Sequence, residues 1–158
     1  MSKFLPRTLI AACAAAFIAL LPLSVAALSP AGTQTAESQG ALTPDQAMAL
    51  LKEGNDRFVS GKMMDRDLQA QVKATAGGQY PHSVVLACID SRVPPEVVFD
   101  QGIGDIFAPR IAGNFVDGEL LGSMEFAAAV AGSKLIVVLG HTECGAVKGA
   151  CDNVRLGN

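Results

Sequence analysis

Cys88, Asp90 and Arg92 stand two positions apart in the stretch "CIDSR", and further along "HTEC" sets His141 three positions before Cys144. Two thiols and an imidazole are a donor set suited to a borderline-soft ion, and zinc fits it best. Three protein ligands rather than four leave one coordination position open, the pattern of a catalytic site. Asp90 and Arg92 add a carboxylate and the guanidinium that matches it through a two-pronged hydrogen bond, which keeps the acid ionised. If the backbone stays extended past Cys88, residues 88, 90 and 92 share one side of it. Zn²⁺ with two thiolates and a neutral imidazole carries no net charge. It is then a weaker Lewis acid than a three-histidine site, and a nearby base such as Asp90 helps water lose its proton.

The elements around these residues decide whether they can meet. "SVVLAC" (83–88) is a short, β-branched, continuous apolar run, which predicts a buried strand of a parallel sheet. "DIFAPR" (105–110) predicts a second strand, and "KLIVVLG" (134–140) a third of the same buried character. Helices are predicted between them. In "LTPDQAMALLKEGNDRFVSG", Thr43 is the N-cap, Pro44 the first helical residue and Gln46 completes a capping box. Ala47, Leu50, Leu51 and Phe58 fall near one face, and Gly61 ends the helix. A more polar helix is expected over about 66–75, a short one after Pro94 and Pro95, another over 120–132, and a last one opening at "ECGAVKGACDNV". Strands alternating with helices give an α/β fold: a mainly parallel β-sheet flanked by helices, with an N-terminal helical arm. Ligands of such sheets bind beyond the carboxyl ends of the strands. The first strand delivers Cys88 there and the third delivers Gly140 and His141. Cys144 follows in the first turn of a helix, where the dipole and free N–H groups favour a thiolate.

The chain has 158 residues, enough for one modest domain. "MSKFLPR" carries Lys3 and Arg7, 21 uncharged residues follow, and "SVAA" supplies small residues for cleavage after Ala27. Residues 1–27 therefore read as a signal peptide, which implies an exported, periplasmic or secreted protein with no stable membrane span after cleavage. An uncleaved anchor is the competing reading, against which Pro22 and the alanine-rich core count. Residues 28–41, small and polar, read as a flexible linker. Residues 42–158 form the domain, and three strands in so short a stretch suggest one incomplete at its C-terminus. Removing Lys3 and Arg7 leaves ten basic against fifteen acidic side chains, a net charge of −5. No basic cluster remains to neutralise a run of phosphates, which argues against nucleic acid as a partner. Beyond Cys13, three cysteines remain, and an odd count is not a disulfide framework.

With both motifs in place, the sequence resembles the β-class carbonic anhydrases, whose zinc motifs read Cys-x-Asp-x-Arg and His-x-x-Cys. The resemblance runs from about residue 44 to the end and takes in "GNDRFVSG", "PPEVVFDQGIGDIFAPRIAGN", "GSMEFA" and "VVLGHTECGAVKGA". It implies zinc held by Cys88, His141 and Cys144, and an Asp90–Arg92 dyad that caps the metal or releases it to bind water. It implies reversible hydration of carbon dioxide to bicarbonate and a proton, and a homodimer or larger homo-oligomer. Ile111 departs from the pattern, standing where many members carry asparagine.

Other readings compete at single positions. Cys88 and Cys144 could form a disulfide, which would leave His141, Asp90 and Arg92 unexplained. A zinc-binding or redox-sensing protein without turnover, or a hydrolase of a carbon dioxide analogue, would use the same residues. Cys151 reads as a small buried apolar residue. His82 begins the strand that ends in Cys88, roughly 20 Å away at the wrong end of the sheet for a proton shuttle.

Overall fold

The computed structural model describes residues 28–29 and 32–157; the signal peptide expected over 1–27 lies outside the described residues. Three helices come first: α1 (Ala36–Ala41), α2 (Pro44–Val59) and α3 (Leu68–Thr75). Strand β1 (Ser83–Ala87), helix α4 (Pro95–Val98), strand β2 (Ile106–Phe107), helix α5 (Gly118–Ala129), strand β3 (Leu135–Leu139) and helix α6 (Gly145–Cys151) follow. The strands form one parallel sheet in the order β2-β1-β3, the α/β architecture the alternation predicts.

Helix α2 starts as its sequence dictates. The Thr43 hydroxyl accepts from the Gln46 N–H, and the Gln46 side chain accepts from the Thr43 N–H. The chain leaves it through Gly61 at φ +69, a left-handed position that glycine occupies without strain. Ala47 and Leu51 are buried. Gly54 is required by contact: a Cβ there would lie 1.8 Å from the Phe99 carbonyl oxygen, so only glycine lets α2 approach the end of α4.

Within the linker that composition suggested over 28–41, Ala36–Ala41 form helix α1, held by two devices. Thr35 and Ser38 make a reciprocal capping box that starts α1, and Gln39, buried, donates to the carbonyls of Pro81 and Ala131 at 2.8 Å each. A polar side chain thus ties the arm to the sheet, which a composition-based reading does not detect.

Every residue of β1 is buried. Val84 and Leu86 pack with Met124 and Ala127 of α5, joined by Phe107, Ile111 and Leu120. The third strand departs from expectation. Ile136 and Val138, in register with Val84 and Leu86, are 47% and 59% exposed. An edge strand has only one neighbour, and the apolar cluster that α5 forms with β1 and β2 includes no residue of β3. Its apolar run therefore signalled strand but not burial. Cys151, expected inside, is exposed for a related reason: α6 buries none of its residues. The second strand is also shorter than "DIFAPR", although a single bridge between Ala87 and Arg110 prolongs its pairing with β1. Among the described residues no helix is long and apolar enough to cross a membrane.

Candidate metal centre

Parallel register brings the two motifs together. Ala87, the last residue of β1, pairs with Leu139, the last of β3, so both chains leave the sheet side by side at its carboxyl edge. Cys88 leaves one strand; Gly140 and His141 leave the other. The chain then turns through Glu143 at φ +55, a left-handed position seldom taken by residues with a Cβ, and delivers Cys144 as the N-cap of α6. Cys144 thus sits one residue before the first turn in which the sequence placed it.

The donor atoms of Cys88, His141 and Cys144 all lie within 4.8 Å of one another, and no other such group of three occurs among the described residues. The two sulfurs are 3.9 Å apart and both cysteines are free, so the disulfide alternative does not describe this structure. His141 lies 2.8 Å through Nδ1 from the Thr142 carbonyl oxygen. An amide carbonyl only accepts, so Nδ1 carries a proton and, in the neutral imidazole that a metal would bind, Nε2 presents the lone pair. That Nε2 is buried and makes no hydrogen bond. A buried lone pair facing two sulfurs is what a soft cation would satisfy, so the residues present fit a zinc ion.

Cys88 is prepared for that task. The Gly113 N–H donates to its sulfur at 3.3 Å and, with His141 and the Asp90 N–H, brings the thiol down to about 6. Thiolate is the form that binds metals. The neighbouring Cys88 thiolate, together with the Thr142 carbonyl, raises the pKa of His141.

Asp90 and Arg92 meet, but not by extension of the strand. The Asp90 carboxylate accepts from the Arg92 N–H at 2.9 Å, an Asx turn that bends the chain where alternation required it straight. Arg92 then closes the two-pronged pair, Nε to Oδ1 at 2.9 Å and Nη2 to Oδ2 at 2.7 Å. These side-chain and backbone hydrogen bonds hold the Asp90 carboxyl far below the usual carboxylate range. Asp90 Oδ2 lies 3.9 Å from His141 Nε2, so the carboxylate stands at the rim of the donor cluster.

His82 is at the opposite end of β1, buried between the Ser83 hydroxyl and Gln101, with burial lowering its pKa. It borders a cavity of about 520 Å³ that is remote from the metal donors. Two participants escaped the sequence reading. Gly113 was legible only as part of a glycine turn, and Arg110 only as the end of a strand; their neighbourhood, "PRIAGN", was the available signal.

Comparison with known proteins agrees with this geometry. The carbonic anhydrase family model matches residues 83–158, which include both cysteines, the histidine and the Asp90–Arg92 pair. Carbonic anhydrase 2 of Mycobacterium tuberculosis is 48% identical over 108 residues, covering 68% of this chain and 52% of that protein. The chain belongs to the β-carbonic anhydrase family. A carbonic anhydrase of Mycolicibacterium smegmatis is 47% identical over 106 residues, 66% of this chain and 52% of the relative. A tetrameric β-carbonic anhydrase of Sordaria macrospora superposes with a TM-score of 0.53 at 29% identity, over 72% of this chain and 58% of that one. The chain spans about half the length of the curated carbonic anhydrases it matches.

Proposed function

We propose that this protein catalyses the reversible hydration of carbon dioxide to bicarbonate and a proton at a zinc ion held by Cys88, His141 and Cys144. The observation that carries this is the buried Nε2 of His141, without a hydrogen bond and gathered with two sulfurs within 4.8 Å. When bound, zinc supplies the Lewis acidity that makes water a nucleophile near neutral pH.

The chain's own residues supply the rest. The Thr142 carbonyl fixes the tautomer of His141 and turns Nε2 inward. The Gly113 N–H keeps Cys88 a thiolate. Asp90 is ionised and, from the rim of the cluster, accepts a hydrogen bond from water and orients it. Arg92 aims it and, through Nη2 at 3.4 Å from the Glu143 carbonyl oxygen, ties its loop to the turn that delivers Cys144. The pair either closes over the metal position or leaves it to water, so Asp90 acts as a gate.

Purified protein should contain about one zinc per chain and accelerate hydration in a stopped-flow assay, and Cys88→Ser should abolish both. Zinc retained at full stoichiometry in Cys88→Ser would sink the ligand assignment. Zinc bound without any acceleration would instead favour a metal-holding protein without turnover.

The same proposal includes export to the periplasm or beyond, motivated by the composition of residues 1–27, and assembly into homo-oligomers, motivated by the tetrameric relatives of Sordaria. Fractionation and light scattering test these two points; a cytoplasmic or a strictly monomeric protein would refute the corresponding one.

A further inference from the structure

Past Ala87 the first strand has no ladder partner, and its carbonyls must find donors elsewhere or face water. Two of them find the same side chain. Arg110 donates from Nε to the Cys88 carbonyl at 2.9 Å and from Nη2 to the Asp90 carbonyl at 2.6 Å. The guanidinium therefore bridges a candidate metal ligand and the gate carboxylate's own residue.

We propose that Arg110 is a positioning residue for the metal centre, one that fixes the spacing of the Cys88 and Asp90 backbones from which the sulfur and the carboxylate are presented. It rests on the zinc reading given above. Arg110 is itself well anchored. On either side of it the Pro109 carbonyl accepts from the Ala87 N–H and the Ile111 N–H donates to the Ala87 carbonyl, both at 3.0 Å. Three residues on, the Gly113 N–H reaches the sulfur. One segment, 109–113, thus sets the backbone of Ala87, the carbonyl of Cys88 and the sulfur of Cys88 in succession. A planar fork of fixed donor spacing can hold two carbonyls at a set separation; a lysine ammonium, a single point on a flexible stem, holds one. With the fork gone, residues 88–90 are free to rotate their peptide planes, and sulfur and carboxylate lose their common frame.

The test uses Arg110→Lys and Arg110→Gln, with Arg57→Gln as a control far from the centre. Zinc affinity is measured by chelator competition, the ligand field by the absorption of the cobalt-substituted protein, and folding by circular dichroism. Removing a supporting partner of a metal ligand typically weakens binding about 10–100-fold. Both Arg110 variants should show a loss of that order and a shifted cobalt band, Arg110→Lys the smaller of the two. Arg57→Gln should lower stability and leave both readings unchanged. Parental zinc affinity and cobalt spectrum in both Arg110 variants would overturn the proposal, as would an equal loss in Arg57→Gln. Should Arg110→Gln fail to fold, Arg110→Lys decides on the same readings. Weakened zinc binding in the variants of a protein that does not hydrate carbon dioxide would still support Arg110 while removing the catalytic reading. A parent protein that binds no zinc would overturn both.

Discussion

Two aspartates in this chain are held by arginines, and they are held differently. Asp100 has no exposed surface and sits in a left-handed turn after α4. Arg57 from α2 and Arg66 from the following loop both pair with it, and the Met64 N–H adds a third donor. Burial alone would raise its pKa, but these donors hold the carboxyl below its ordinary value. Asp90 is held by Arg92, two residues along its own loop, and the Arg92 side chain is 63% exposed. The chemistry is the same and the wiring is not. A carboxylate gripped from several elements fastens them together. One gripped by its own neighbour can move with that neighbour as a unit, which is what a gate requires.

The comparison breaks most sharply at Asp100. Asparagine keeps the shape and tolerates the left-handed backbone, so Asp100→Asn removes the charge alone. It leaves two guanidinium groups without their counter-ion and should cost about 3–5 kcal/mol in urea denaturation. A loss under about 1 kcal/mol would mean that the buried cluster fastens nothing. Asp90→Asn should do the reverse: leave the denaturation midpoint unchanged and lower the hydration rate about 100-fold or more. A stability loss as large as that of Asp100→Asn would erase the distinction. Gly54→Ala sharpens the contrast by attacking the Asp100 side without touching charge, since its Cβ would collide with the Phe99 carbonyl. It should cost about 1–3 kcal/mol with zinc stoichiometry intact.

Acid gives the smallest and most specific effect. The folded pKa of Asp100 is depressed, so its stabilisation is present above the unfolded value, about 3.9, and is lost as pH falls through the folded one. Asp105 is raised by burial and works the other way: its contribution is full below about 3.9 and disappears as pH rises through its folded pKa. Asp100→Asn should therefore flatten the acid limb of the stability curve. At the metal centre, zinc affinity should fall as pH drops, first as His141, its pKa raised above the ordinary imidazole value, takes up a proton and then, near pH 6, as the Cys88 thiolate does, measurable by chelator competition across pH. An affinity unchanged well below pH 6 would contradict the thiolate assignment.

Much of the centre was legible because its residues end strands. Apolar runs mark β1 and β3, parallel pairing aligns their ends, and Cys88 and His141 follow at once. What sequence could not supply was side-chain traffic across long separations. Alternation at 88, 90 and 92 suggested an extended chain, whereas Asp90 prefers to bond its own backbone and turns it. Arg110 looked like a strand end because nothing local shows that its donors reach the carbonyls of Cys88 and Asp90. The α1 segment looked like a tether because Gln39 finds its acceptors at Pro81 and Ala131, far along the chain. Exposure of Ile136, Val138 and Cys151 depends on where helices fail to reach, and hydropathy does not encode that.

The separation of the two cysteines has a further effect. Cys88 and Cys144 are 56 positions apart, so an ion joining them ties a large loop shut. By the chain-entropy estimate used for covalent cross-links, closing a loop of that length is worth about 4 kcal/mol, taken from the unfolded ensemble. Metal capture and the pairing of β1 with β3 would therefore support each other. A chain that meets zinc late should carry its two thiols open to whatever oxidant reaches them first.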